Sequence, residues 1–180
     1  MIWAIMQVVV AWLYGHIMEW FIHKYILHNL GKKRHSIWSF HFREHHAICR
    51  KNKNMDEEYR YNSGTLKCNR VGKEFAALIF IGLIHLPLIL IVPWFVFTVW
   101  ASIFEYYYLH RKSHIDIEWG KKNMPWHYDH HMGKNQHMNW GVRTDFFDKI
   151  FGTKQRYIYV DSETDDDGKE DEQENISNVN

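Results

Sequence analysis

At 180 residues the chain has room for one domain, and 46% apolar with 17% aromatic residues is enough for a core or for membrane spans. Its formal charge of +1 hides an asymmetry: residues 161–180 hold nine of the 21 acidic and one of the 22 basic residues, which leaves residues 1–160 with a surplus of nine positive charges. Cys49 and Cys68 lack C-x2-C spacing, which excludes a zinc knuckle and a disulfide framework and points to reduced thiols.

The segment MIWAIMQVVVAWLYGHIMEWF has no basic flank and no small-residue cleavage site, so it reads as a retained span over about residues 2–22. It supplies the roughly 20 residues a helix needs to cross a hydrocarbon core of about 30 Å. Gln7, His16 and Glu19 give that span a polar inner face. Lys24, Lys32, Lys33, Arg34, Arg43, Arg50, Lys51 and Lys53 follow it, and such density beside a span marks the cytosolic side. Residues 47–73 are a polar connection. Phe75–Leu109 is a second apolar run of 35 residues, which as one helix would be about 52 Å long at 1.5 Å per residue. Pro87 and Pro93 near its middle predict instead a hairpin of two helices, about 75–92 and 93–109, turning near Leu90–Trp94. That turn returns residues 110–155 to the side of residues 23–73 as a helical cap on the bilayer. Residues 156–180 read as an acidic, disordered tail. Its Asn175-Ile176-Ser177 sequon matters only in a secretory lumen. The expected fold is an all-α membrane protein of about three transmembrane helices with a cytosolic histidine-rich cap. Its host is the endoplasmic reticulum of a eukaryote or the inner membrane of a bacterium.

Ten of the fourteen histidines fall into four groups: His23-x4-His28, His41-x3-His45-His46, His110-x3-His114 and His127-x2-His130-His131. Neutral imidazoles hold divalent metal without burying carboxylate charge, and ten are more than one ion uses, so two ions with four or five ligands each are expected. A lone histidine near an apolar segment is usually a core residue; four groups on one side of one membrane outweigh that. At about 100° per residue, His110 and His114 share a helical face, as do His41 and His45, and His127, His130 and His131 lie within an arc of about 100°. His23 and His28 diverge by about 140° on a regular helix, which suits two ions or a helix that ends between them. His16 and Glu19 are candidates to orient a ligand from behind, and His137 is a candidate outer ligand or donor. His85 is expected to make a polar contact between spans, and His35 to be a loop residue.

The opening EWFIHKYILHN and the segment MPWHYDHHMGKNQHMNWGVRTDFFDKIFGT resemble the fatty acid hydroxylase, or sterol desaturase, superfamily of membrane non-haem diiron oxygenases, over about residues 15–155. The specific part is an Asn-aromatic-Gly turn, Asn139-Trp140-Gly141, followed by the ending Asp148-Lys149-Ile150-Phe151-Gly152-Thr153. The chain departs from the pattern in its second group, H-x3-HH where H-x2-HH is usual, which singles out His41. It is also short, with three crossings where longer members have four, and carries no haem or iron–sulfur motif.

The resemblance implies two irons held by the ten grouped histidines, with zinc as a substitute in purified material and dioxygen as co-substrate. It implies a separate b-type cytochrome or ferredoxin-like electron donor. The implied reaction is hydroxylation of an unactivated C–H of a membrane lipid, a fatty acyl chain or sphingolipid-like substrate, in lipid biosynthesis. Glu105 and Asn139 become candidates to support the imidazoles from behind, and Trp94, Phe95, Phe104, Tyr106, Tyr107 and Tyr108 candidates for an apolar channel or an interfacial belt. A desaturase on the same site is the alternative within that class. A histidine-rich metal transporter is the alternative of another class; it needs ligands along the spans, where only His16 and His85 lie. A haem protein with paired axial histidines is a third, and no nucleic acid partner is expected.

Overall fold

The computed structural model describes residues 1–62, 64–158 and 174–176, and the regular structure is nearly all helical. Helix α1, Ile2–Phe21, runs without a break into a π-helical stretch, Ile22–Leu30, whose backbone bonds close five residues on. A second π-helical turn, Phe40–His45, leads into α2, His46–Lys51. The other helices are α3 (Glu58–Tyr61), α4 (Arg70–His85), α5 (Pro93–Ile115), α6 (Ile117–Asn123), α7 (Pro125–Met132) and α8 (Phe146–Ile150).

Helices α4 and α5 form a hairpin whose ends follow from local chemistry. The Asn69 side chain caps α4 by accepting the Gly72 amide at 2.8 Å. α-Helical bonding ends at His85, two residues before Pro87; the chain tightens into a 3-10 turn over Leu86–Leu90 and reverses at Ile91–Val92. Pro93 opens α5, where its missing N–H is no loss. The next amides, of Trp94 and Phe95, donate to Gln7 Oε1 at 3.0 and 3.3 Å. The polar residue of α1 thus serves the orphan amides of a helix start that has only apolar neighbours. α5 continues past Leu109 to Ile115, carrying His110 and His114 on its last two turns.

The helices are apolar outside and polar inside. On α1, Ile5, Val9 and Trp12 face outward while Gln7, Ala11, His16 and Trp20 are buried. On the hairpin, Phe80, Ile84, Leu90, Trp94 and Phe97 face outward and His85 and Ser102 inward. Two helices, Ile2–Leu30 and Arg70–Leu90, are long and apolar enough to cross a membrane. Ala11, Val99 and Ile103 form the packed centre, with Tyr14, Leu78, Ile81 and Phe95 against it. Gly82 permits the close approach of α4 to α5, since a Cβ there would lie 2.5 Å from the Trp100 ring. α1 and α4 each pack along α5 rather than along one another, and the space between them is a cavity of about 380 Å³.

Strand β1, Arg156–Ile158, pairs antiparallel with β2, Glu174–Ile176, Arg156 standing opposite Ile176. These two pieces of the segment expected to be disordered are therefore in a ladder. The anchor is Tyr157, 5% exposed, whose hydroxyl accepts the Asn135 amide at 3.2 Å and donates to Gln155 Oε1 at 2.7 Å. The remainder of the acidic tail lies outside the described residues, as does Ser177 of the sequon.

Candidate metal centre

The ten grouped histidines converge on one buried cluster, none more than 2% exposed. They divide five and five. His23, His28, His41, His46 and His130 form a group whose ligand atoms all lie within 4.8 Å of one another, and His110, His114, His127 and His131 form a second. His45 completes the second group, its ring 4.5–5.1 Å from those of His110, His114 and His131. The two groups share a wall, where His46 stacks on His131 at 4.2 Å.

The π-helical stretches make this division. A π-helix closes its bonds five residues on, so residues five apart face the same way. His23 and His28 therefore point together, with ring centres 5.1 Å apart, as do His41 and His46 at 5.0 Å. Regular helical geometry predicted otherwise at three places, and the structure corrects each. His23 and His28 do not diverge; His45 does not share a site with His41, being released to the second group; and His130 separates from His127 and His131. The extra residue in H-x3-HH, which singled out His41, is what the π-turn absorbs. His110 and His114 fall in one group, as their four-residue spacing on a regular helix requires.

Within the first group the Nε2 atoms follow one another at 2.9 Å (His23 to His41), 3.3 Å (His41 to His46), 3.1 Å (His46 to His28) and 3.1 Å (His28 to His130). In the second, His114 and His127 present Nε2 atoms 3.2 Å apart. For metal–nitrogen bonds of about 2.1 Å, neighbouring ligands at octahedral to tetrahedral angles stand roughly 3.0–3.4 Å apart, so these spacings fit the edges of a coordination shell. Hydrogen bonding fits too. His23, His114 and His130 donate from Nδ1 to the carbonyls of Trp140, Asn54 and Met138 at 2.6, 2.9 and 2.6 Å. His45 and His110 donate to the carboxylates of Asp56 and Glu74 at 3.0 and 2.7 Å. Each bond fixes the proton on Nδ1 and leaves Nε2 with its lone pair inward. His110 Nε2 and His131 Nε2 are buried without a partner among the described residues, which leaves their lone pairs available to a cation. Burial first, then the neighbouring imidazoles, holds His41, His46, His114, His127, His130 and His131 well below the usual histidine range, and they are neutral at physiological pH. Buried histidine clusters of this kind can hold metal ions.

Two supporting carboxylates, Asp56 and Glu74, escaped the sequence reading. Asp56 lies in the connection over 47–73, where a charged residue is unremarkable, and Glu74 sits one residue before the apolar run. Burial raises the Asp56 carboxyl, but Arg70, at 2.7 and 2.8 Å, and His45 more than reverse this and hold it well below the ordinary carboxylate range. Glu74 also accepts from Tyr59. Cys49 Sγ lies 3.5 Å from His114 Nδ1 and 3.7 Å from His45 Nδ1. It groups with His45, His114 and His131 as a further metal-capable set, yet both of those nitrogens are already engaged by Asn54 and Asp56.

The supporting roles expected of other residues change. Glu19 accepts the Val142 and Arg143 amides at 2.5 and 3.0 Å and pairs with the Arg143 guanidinium at 2.6 Å, and bonds to no imidazole among the described residues. Glu105 also pairs with Arg143, at 3.2 Å. His16 packs edge-on against Trp12 at 4.4 Å. Both carboxylates are drawn to Arg143 because it is the buried cation in their reach, its side chain 2% exposed. His137 is exposed, 5.8 Å ring to ring from His28 and stacked on Phe42. Asn139 acts through the backbone: in a left-handed conformation (φ 58°) it exchanges bonds with the Gln155 main chain at 2.6 and 2.7 Å, and so sets the Trp140 carbonyl that receives His23. Asp148 locks the same turn by accepting the Trp140 and Gly141 amides, both at 2.8 Å, and the Thr153 hydroxyl at 2.6 Å. The terminal signature is thus a clamp on the first group. His85 accepts the Tyr14 hydroxyl at 3.0 Å, joining α4 to α1, and His35 lies in an exposed turn.

The cavity between α1 and α4 ends on this cluster. It is lined from Tyr14 to Leu27 on the first helix, from Glu74 to His85 on α4 and from Val99 to Tyr106 on α5, and His23 is the one grouped histidine in its wall. Of the aromatic residues expected around a channel, Tyr106 lines it and stacks on His110 at 5.4 Å, while Trp94, Phe104 and Tyr108 face outward. Comparison with protein-family models, curated proteins and solved structures finds no match to this chain.

Proposed function

We propose that this protein is an integral-membrane lipid hydroxylase built on two iron ions. The observation that carries the reading is the apolar cavity between α1 and α4, which reaches from the lipid-facing helices to His23, at the edge of ten buried histidines divided five and five. α1, α4 and the apolar part of α5 serve as three spans, with the histidine cap on the cytosolic side beside Lys24, Lys32 and Arg43. The net reaction converts a C–H bond, dioxygen, two electrons and two protons into C–OH and water, the electrons coming from a separate one-electron carrier protein. Bound iron supplies the oxidising capacity for an unactivated C–H bond, which no side chain possesses.

The chain's own residues supply the rest. The cavity wall takes an acyl chain out of water and lays one methylene beside His23. Trp140, Asn54, Met138, Asp56 and Glu74 hold five imidazoles in the tautomer that presents Nε2. Glu74, in the cavity wall and bonded to His110 and Tyr59, is placed to relay protons between the cavity and the cap. A metal transporter is disfavoured because His16 and His85, the histidines within the spans, are engaged with Trp12 and Tyr14 rather than aligned with the groups.

The test is expression in a host of defined lipid composition, comparing lipids made with the intact chain and with His130→Ala and His131→Ala. A hydroxylated lipid that vanishes in both variants supports the reading. The same lipid change in all three, or an unsaturated product alone, overturns hydroxylation at this site. The purified protein should contain about two irons and show no Soret band.

A further inference from the structure

The cavity has a floor, and the floor is aromatic. On α1 no lining residue precedes Tyr14, on α4 none follows His85, and on α5 none precedes Val99. The Tyr14 and His85 rings meet at 5.6 Å, joined by the hydroxyl-to-Nε2 hydrogen bond of 3.0 Å, and His85 Nδ1 donates to the Ile81 carbonyl at 2.7 Å. Phe95 lies behind both, 5.4 Å from Tyr14 and 6.3 Å from His85. Two rings joined by a hydrogen bond, with the Phe95 ring packed behind them, therefore stand at the end of the cavity farthest from the histidine cap. The other end, at Leu27, Trp38 and Phe40, adjoins the cap.

We propose that the Tyr14–His85–Phe95 floor is a depth stop for the methyl end of an acyl chain, and that the position presented to His23 is counted from that methyl end, not from the headgroup. This rests on the lipid-hydroxylase reading above. A membrane lipid has its headgroup at the interface and its chain pointing inward, the direction in which the cavity runs from the Trp38 end to the floor. The wall between is mostly apolar, and of its charged members Glu19 and Arg143 are paired with each other and Glu74 with His110, so no particular carbon is gripped and the fixed reference along the chain is the place where it stops. Tyr14 precedes His23 by nine residues, about 13 Å of helix. An extended chain advances about 1.2 Å per bond, since three backbone bonds span 3.3–3.6 Å. The methylene beside His23 is then roughly ten carbons from the terminal methyl. The polar Tyr14–His85 bond suits a stop better than apolar packing alone, because a directional bond between α1 and α4 resists being wedged apart by a chain end.

Two measurements test this. In the first, iron-loaded protein in lipid nanodiscs is photolabelled with a fatty acid carrying a diazirine at its terminal carbon, and the adducts are mapped by mass spectrometry. Adducts on Tyr14, His85 or Val99 are expected; adducts confined to Leu27, Trp38 and Phe40 would overturn the stop. In the second, acyl chains differing by two carbons are compared for the position of the new hydroxyl. A constant distance from the methyl end is expected, and a constant distance from the carboxyl end would overturn the proposal. In His85→Ala the hydroxyl should move at least one carbon farther from the methyl, whereas Phe104→Ala, at an outward-facing residue outside the cavity lining, should leave it in place. An unmoved hydroxyl in a folded, iron-loaded His85→Ala protein counts against the stop. Labelling requires no turnover, so floor adducts without any oxidised lipid would sink the hydroxylase reading and leave the stop standing.

Discussion

His41 and His46 stand five residues apart on a π-helical turn with their Nε2 atoms 3.3 Å from each other, while His45 between them turns to the opposite group. The register of one helical turn thus assigns neighbouring histidines to different groups. His41→Ala should remove metal from the first group and His45→Ala from the second, each lowering the content from about two irons to about one. Elemental analysis of purified variants checks this; a loss of both irons in both variants would mean that the groups do not load separately.

Glu74 holds His110 by its Nδ1 at 2.7 Å. Glu74→Gln keeps the shape but removes the charge that favours the ligating tautomer, so metal affinity at the second group should fall by about 10–100-fold, the usual effect of losing such a partner. Competition with a chelator measures it. The first group should retain its metal, and Asp56→Asn should behave likewise through His45.

The buried histidines also set a pH dependence for the metal-free protein. Their folded pKa values lie well below 6.5. Below that pH the unfolded chain binds protons that the folded chain excludes, so stability is fully present above about 6.5 and falls as the pH drops. Each such imidazole contributes up to about 1.4 kcal/mol per pH unit. Thermal melting of stripped protein should therefore collapse between pH 6.5 and 5, before the carboxylates titrate, and bound metal should push the transition to lower pH. A flat profile over that interval would contradict neutral burial.

Gly141 belongs to the Asp148 clamp, and a Cβ there would lie 2.0 Å from the Thr144 carbonyl oxygen. Asp148→Ala leaves the Trp140 and Gly141 amides and the Thr153 hydroxyl without the acceptor they share, at a cost of about 3 kcal/mol or more given 1–3 kcal/mol for each buried unsatisfied group. Gly141→Ala should be comparably damaging. Melting in detergent reads both, and the loss should exceed that of Glu105→Gln, whose carboxylate is 55% exposed.

Filling the cavity separates substrate binding from metal binding. Val99→Trp should abolish lipid product while leaving about two irons per chain, because Val99 lines the cavity and packs with Ala11 and Ile103 in the centre of the helices. Loss of iron along with product would show that the cavity and the centre are not independent.

The helical class, the hairpin turn and the ten histidines were legible because each rests on local chemistry: apolar run length, proline's missing donor, and a residue type with few other reasons to cluster. Asp56 and Glu74 were not legible, since a carboxylate in a charged connection or at a helix border looks like any solvated acid until packing sets it against an imidazole. Glu19 and Glu105 misled for the same reason: their partner, Arg143, lies 124 and 38 residues away in sequence. Composition and spacing by themselves determined that this chain gathers imidazoles at the ends of apolar helices. Only the tertiary structure decided how they divide, because whether His23 faces His28, or His41 faces His46, depends on the hydrogen-bond register of one turn. Spacing alone is compatible with an α-helical or a π-helical register, and the folded chain takes the second.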